Sequence, residues 1–190
     1  SEHLFSHYLD MTEYRYHGKF QSHGFQCAMG TVIMSACFDE FLKMDLSKID
    51  VDACVAAWPT LEQEQQRALE IFKDFPVPQL GYTEITKKYN DAETVRQQLT
   101  KVKENWPELK ERIQNQVYTY DKMVALMKSV GAPVGPESIG LTRAQVRRMV
   151  DFVQLMRWRI NLFDLCKRAQ IYDALLDRVF GKGGVLEIGE

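Results

Sequence analysis

The sequence predicts an all-α fold of about seven or eight helices, on three observations. Apolar residues recur at three- and four-residue spacing along most of the 190 residues. No alternating run of β-branched residues lies between turn signals. Capping residues and Pro or Gly stops bracket the periodic stretches. The composition, 45% hydrophobic and 26% charged with a mean hydropathy of −0.31, is that of a chain able to bury a core and excludes a disordered or collagen-like polymer.

Taken in order, Ser1 is the N-cap of a short helix to about Asp10 whose Leu4, Phe5, Tyr8 and Leu9 share a face. Residues 11–22 read as a loop. From His23 to about Met44 the chain is apolar on nearly every side, with small Ala28, Gly30, Ser35 and Ala36 allowing close helix contact, so this is the central helix. Asp50 or Asp52 opens a helix to about Phe72 that kinks or restarts at Thr60 because of Trp58-Pro59. Pro76 and Pro78 make a turn, and Asn90 or Asp91 caps a helix ending near Trp106.

Pro107, at a first-turn position, opens a long helix through Val130, followed by a rigid Pro/Gly loop over 131–140. Thr142 caps a helix over 143–169, with Val146, Met149, Val150, Val153, Leu155 and Met156 turned inward. A last helix over 173–180 is ended by Gly181, Gly183 and Gly184.

Lys plus Arg number 24 against 26 Asp plus Glu, a net charge of −2, so no overall field draws nucleic acid or an anionic membrane and any anion must be caught locally. Cys27, Cys37, Cys54 and Cys166 form no C-x-x-C pair and read as reduced, buried thiols of a cytoplasmic protein. No apolar stretch reaches the length of a membrane span and no secretory leader is visible. A chain opening on Ser1 rather than Met suggests that its true beginning lies upstream.

All four histidines, His3, His7, His17 and His23, lie in the first 23 residues. His3 and His7 are four apart on one helix face, a spacing at which two imidazoles share a divalent metal or one ligates while the other addresses a substrate. Leu4 stands where a zincin helix needs its general-base Glu, which argues against a metalloprotease of that type. His23 opens the central helix, a rigid place from which to point a ligand. No third ligand is legible near them, and a solvated, metal-free cluster of imidazoles is the other reading. Arg157 and Arg159 could meet a phosphate or be solvated on a helix face.

The segment SEHLFSHY (1–8), followed by HGFQCAMGT (23–31), resembles the paired metal-binding histidine motifs of sn-glycerol-1-phosphate dehydrogenases, in the superfamily of dehydroquinate synthases and metal-dependent glycerol dehydrogenases. The loop 131–140 and residues 156–166 are similar to the corresponding later pieces of that family, so the resemblance covers essentially the whole chain as a C-terminal helical domain of the dehydroquinate synthase-like fold. Carried over by residue, it implies that His3 and His23 ligate a divalent metal, zinc first and iron or nickel otherwise, while His7 acts in catalysis. His17, also followed by Gly, competes with His23, but only the latter is followed by a helix with Gly30-Thr31. Phe25 departs from the Glu that dehydroquinate synthases carry there, which unsettles a supporting hydrogen bond and the substrate.

The resemblance further implies an N-terminal α/β domain, absent from this chain, that carries an Asp ligand and binds NAD(P); no G-x-G-x-x-G follows a strand here. Residues 1–190 would then be one helical metal and substrate domain, inactive alone and, with the uncovered surface, prone to form a homo-oligomer. The implied activity is NAD(P)H-dependent reduction of dihydroxyacetone phosphate, with glycerol or another polyol as alternative substrate. The other class of function is a free-standing helical interaction module with a structural or vestigial histidine site.

Overall fold

A computed structural model describes residues 2–189, and 67% of it is helix. The elements are α1 (Glu2–Met11), β1 (Arg15–Tyr16), β2 (Lys19–Phe20), α2 (His23–Lys43), α3 (Val51–Ala56), α4 (Leu61–Phe72), α5 (Leu80–Lys88), α6 (Ala92–Glu104), α7 (Trp106–Gln114), α8 (Tyr120–Ser129), α9 (Arg143–Leu155), α10 (Leu162–Arg168) and α11 (Tyr172–Phe180), with 3-10 turns at Leu46–Lys48 and Pro136–Ile139. The fold is all-α. The eleven α-helices among the described residues exceed the expected seven or eight because the chain restarts where an uninterrupted helix was expected, and the Ser1 cap lies outside the described residues.

Each restart has a local cause. Thr60 caps α4 through a reciprocal pair with Gln63, as the Trp58-Pro59 interruption predicts. Past α7, Thr119 accepts from the Lys122 amide, and Asp39 accepts from the Tyr120 amide at 2.6 Å, so a carboxylate distant in sequence holds the start of α8. The helix expected over 143–169 breaks at Met156 and restarts at Asn161, which makes a capping box with Asp164. In the expected loop 11–22, β1 and β2 pair as a two-residue hairpin whose turn residues, His17 and Gly18, both have positive φ. Helix α5, which no cap announces, lies flat on α4: a Cβ on Gly81 would stand 2.7 Å from the Phe72 ring.

The chain divides into two compact units. Unit 1 holds Ser1–Glu40, Tyr118–Val153 and Leu176–Glu190; unit 2 holds Phe41–Val117 and Gln154–Leu175. In unit 1 the buried apolar residues come from α1 (Phe5, Leu9), α2 (Met29, Val32, Ile33, Ala36), α9 (Val146, Met149, Val150, Val153) and the end of α11 (Val179, Phe180). Gly140, at φ +78°, is pressed by the Tyr16 ring where any Cβ would collide, and the Tyr14 hydroxyl donates to the Ile139 carbonyl at 3.0 Å, fastening the hairpin loop to the Pro/Gly loop.

In unit 2, Cys54, Val95, Leu99 and Ala169 form a buried cluster flanked by Trp58, Leu165 and Ile171. Beside this apolar packing runs a buried polar network. Lys88 pairs with Asp164 at 2.7 Å, the two side chains only 2% and 6% exposed, and donates to the Gln154 carbonyl. The Gln154 side chain donates to Asp164 at 2.6 Å and accepts from Arg67, which also clasps Glu64 through two hydrogen bonds. Burial pushes the Lys88 ammonium below its ordinary range, and the Asp164 carboxylate pulls it back up.

Candidate functional site

The site is built in unit 1 by the start of α1 and the start of α2. Phe5, Ser6 and Leu9 form the buried face of α1. Gly30 on α2 lets the α1 backbone come close: a Cβ there would lie 2.6 Å from the Glu2 carbonyl oxygen. That contact fixes the first turn of α1 against the first turns of α2 and brings the His3 and His23 rings to 5.3 Å between centroids, tilted by 49°. His23 and Cys27, four apart on α2, face the same way. The Cys27 sulfur is 3.4 Å from His23 Nε2 and 4.0 Å from Nδ1.

The donor atoms of His3, His23 and Cys27 all lie within 4.8 Å of one another, a group that could hold a metal ion. Ligands on one tetrahedral zinc stand ~3.3–3.6 Å apart, given Zn–N of about 2.0–2.1 Å and Zn–S of about 2.3 Å. The His23–Cys27 distance is in that range, but the sulfur stands beside the imidazole, so both the Cys27 side chain and the exposed His3 ring would have to turn to share an ion with His23.

Behind the donors lies a polar chain that orients one of them. Gln26 is buried, and its amide nitrogen donates to the Gln21 carbonyl at 3.3 Å, which turns its amide oxygen toward Ser6. The Ser6 hydroxyl spends its one proton on that oxygen at 2.6 Å, so its lone pair accepts from His23 Nδ1 at 2.8 Å. This network assigns the proton to Nδ1 and leaves Nε2 unprotonated, as a ligating imidazole needs; the Cys27 sulfur, 3.4 Å from Nε2 and 4.0 Å from Nδ1, stands beside the ring and off the axis of the Nε2 lone pair. His3 Nδ1 lies 3.4 Å from the Glu2 carboxylate, within reach of a similar role. Partial burial pushes the Cys27 thiol up, and the Glu2 and Asp10 carboxylates reinforce it.

His7, half-buried one turn along α1, is not one of the three donors. His17 sits in the hairpin turn with its ring 4.0 Å from that of Tyr16, likewise outside the group. Cys27 is the ligand candidate that sequence reasoning missed and misassigned. None of the cysteines is in a disulfide, but Cys27 is half-exposed where all four were expected to be buried. The all-round apolar character of the central helix made every cysteine on it look interior; the four-residue step from His23 was the signal available.

Arg159, a candidate phosphate contact, lines a cavity of about 400 Å³ in unit 2 with Lys87, Lys88, Asn90, Trp158 and Ile160; Arg157 is not among the lining residues. Lys88 is committed to Asp164, and Lys87 pairs with Glu84 at 2.7 Å. No protein-family model matches the chain, and no curated protein or solved structure matches it significantly. Among the described residues no helix is long and apolar enough to cross a membrane.

Proposed function

We propose that this chain is the helical, metal-holding domain of an NAD(P)H-dependent dehydrogenase resembling the sn-glycerol-1-phosphate type, with His3 and His23 as metal ligands. The observation that carries the reading is the meeting of these two imidazoles, twenty residues apart in sequence, beside a third donor. The Nδ1 proton assigned to His23 adds to it, because it prepares the ring for metal rather than merely packing it. A bound zinc-class ion would polarise a substrate carbonyl and stabilise the charge that develops on its oxygen, a contribution of several kcal/mol.

The chain's own residues set the conditions for that chemistry. Ser6 and Gln26 hold His23 in one tautomer, and Gly30 sets the distance between α1 and α2. His7 lies one turn beyond His3 on α1, and in this reading it addresses the substrate rather than the ion. The substrate in this reading is dihydroxyacetone phosphate or a related small polyol derivative, and the dinucleotide is held by an α/β domain outside this chain, in a cytoplasmic homo-oligomer.

A structural-metal reading draws on the thiol among the donors, since sulfur ligands are common in closed zinc sites. The experiment that separates the two is NAD(P)H oxidation with dihydroxyacetone phosphate, and NAD(P)+ reduction with glycerol and other polyols, by the native protein, before and after chelation. Activity lost on chelation and restored by Zn2+, with His7→Ala lowering turnover while metal stays bound, supports the dehydrogenase. Stoichiometric metal without activity on any of these substrates rejects it.

A further inference from the structure

We propose that the cavity of unit 2 lined by Asn90, Trp158 and Arg159 is a binding site for a phosphate monoester with a flat or apolar carbon part. It shares no residue with the histidine group and does not rest on the metal-centre reading. The site forms where α9 stops. Residues 157–160 leave the helix, and the Trp158 amide donates to Glu84 of α5 at 2.7 Å, which pins the segment beside the end of that helix. The enclosed space of about 400 Å³ is of small-ligand size, and Trp158 and Ile160, each 54% exposed, give it an uncovered apolar wall.

Three observations make the ligand an anion. The lining holds three cations and no carboxylate. Lys87 and Lys88 are paired with Glu84 and Asp164, but Arg159 has no carboxylate partner, and its guanidinium lies 5.7 Å from the centroid of the Trp158 ring. Behind Asn90 stands a second uncompensated cation. Arg168, only 6% exposed, donates to the neutral oxygens of Gln98 and Asn90 and leaves Nε without a partner. Asp164, already paired with Lys88, acts on it through space alone, and Asp91 spends a carboxylate oxygen on the Thr94 amide.

The third observation is the setting of Asn90. Its Oδ1 accepts from Arg168 at 2.9 Å and from Gln98 at 3.3 Å, which assigns the oxygen to that side and leaves the amide nitrogen, without a partner, to the cavity. The Trp158 indole N–H and the Arg159 guanidinium are unpartnered by any acceptor as well. The free side-chain polar atoms of this lining are therefore donors. A phosphate monoester, with a charge of about −1.5 to −2 at pH 7 and three strong acceptor oxygens, matches both the donors and the two surplus cations, where a carboxylate brings one charge. The carbon part then lies against Trp158 and Ile160.

The test is calorimetric titration of the full chain, freed of metal by chelation, with phenyl phosphate, inorganic phosphate, benzoate and phenol. Expected are one equivalent of phenyl phosphate bound at least ~tenfold more tightly than the other three, and fluorescence quenching that Trp158→Leu abolishes. Arg159→Gln should weaken phenyl phosphate at least ~tenfold. Asn90→Asp gives Arg168 a carboxylate and removes a donor from the cavity, so thermal stability should hold or rise while phenyl phosphate binding is lost. No binding of phenyl phosphate, or binding that both Arg159→Gln and Asn90→Asp leave at the parental affinity, overturns the site. Benzoate or phenol bound as tightly as phenyl phosphate overturns the phosphate, and inorganic phosphate bound as tightly overturns the carbon part. A fall in the thermal stability of Asn90→Asp contradicts the uncompensated charge at Arg168.

Discussion

The two units treat their polar side chains in opposite ways. In unit 2, Lys88, Asp164, Gln154, Arg67 and Glu64 satisfy one another in the interior. Glu84 accepts from Lys87 and from the Trp158 amide, and Arg168 reaches Gln98 and Asn90 with only its Nε lacking a partner. In unit 1, His3, His23 and Cys27 gather at a surface, with a buried hydroxyl and amide behind them whose effect is to keep a lone pair available. A group of charges whose valences are all met inside the protein specifies packing. Donors gathered within 4.8 Å of one another where solvent reaches them are a group that could hold a metal ion.

The contrast is broken most severely by Lys88→Met, which keeps the volume but removes the cation from Asp164. Asp164 retains donors from Gln154 and the Asn161 amide. The expected loss is therefore about 3 kcal/mol of folding stability, near the low end for a broken buried pair, measured by urea unfolding. Below the unfolding transition, zinc binding by this variant should stay within about twofold of the parent, since no ligand is touched. A large change in zinc affinity would mean that the network of unit 2 supports the metal site after all.

His23→Ala gives the reverse pattern. Zinc affinity measured by calorimetry should fall at least ~100-fold, because the imidazole that Ser6 orients is gone. Urea stability without metal should change by only about 1 kcal/mol or less, as expected of an exposed side chain. If zinc still binds at parental affinity, the centre lies elsewhere.

Gly30→Ala tests how the site is positioned, since its new methyl meets the Glu2 carbonyl and must push α1 away from α2. A cost of about 1–3 kcal/mol in urea unfolding is expected, with zinc affinity reduced about tenfold as His3 moves off. Ser6→Ala has the smallest expected effect. It leaves the Gln26 oxygen without its donor at about 1–2 kcal/mol and lets His23 choose either tautomer, for a loss in zinc affinity near the tenfold end of the range for outer-shell partners. Ser6→Thr, which restores the hydroxyl, should recover the affinity.

Much of the helical framework was legible in local chemistry. Thr60, Asp91 and Thr142 each cap the helix that the sequence places after them. Val146 to Met156 turn inward as their spacing requires. The start of α8 was not legible because the Asp39 carboxylate that receives its first amide is 81 residues away in sequence. Helix α5 was missed because no side chain caps it and its place depends on the Phe72 ring. In the site, the meeting of His3 with His23 followed from two histidine motifs, whereas Cys27 was hidden by the apolar helix around it. The Ser6–Gln26 chain needed coordinates, since it depends on α1 lying against α2.

The measurement that bears most directly on the difference between the units is X-ray absorption at the zinc edge on the chain loaded with one equivalent of Zn2+. The account predicts nitrogen neighbours at about 2.0–2.1 Å with the outer-shell pattern of imidazole. A first shell of light atoms without imidazole would show zinc held at some adventitious carboxylate surface, and would contradict a metal centre at His3 and His23.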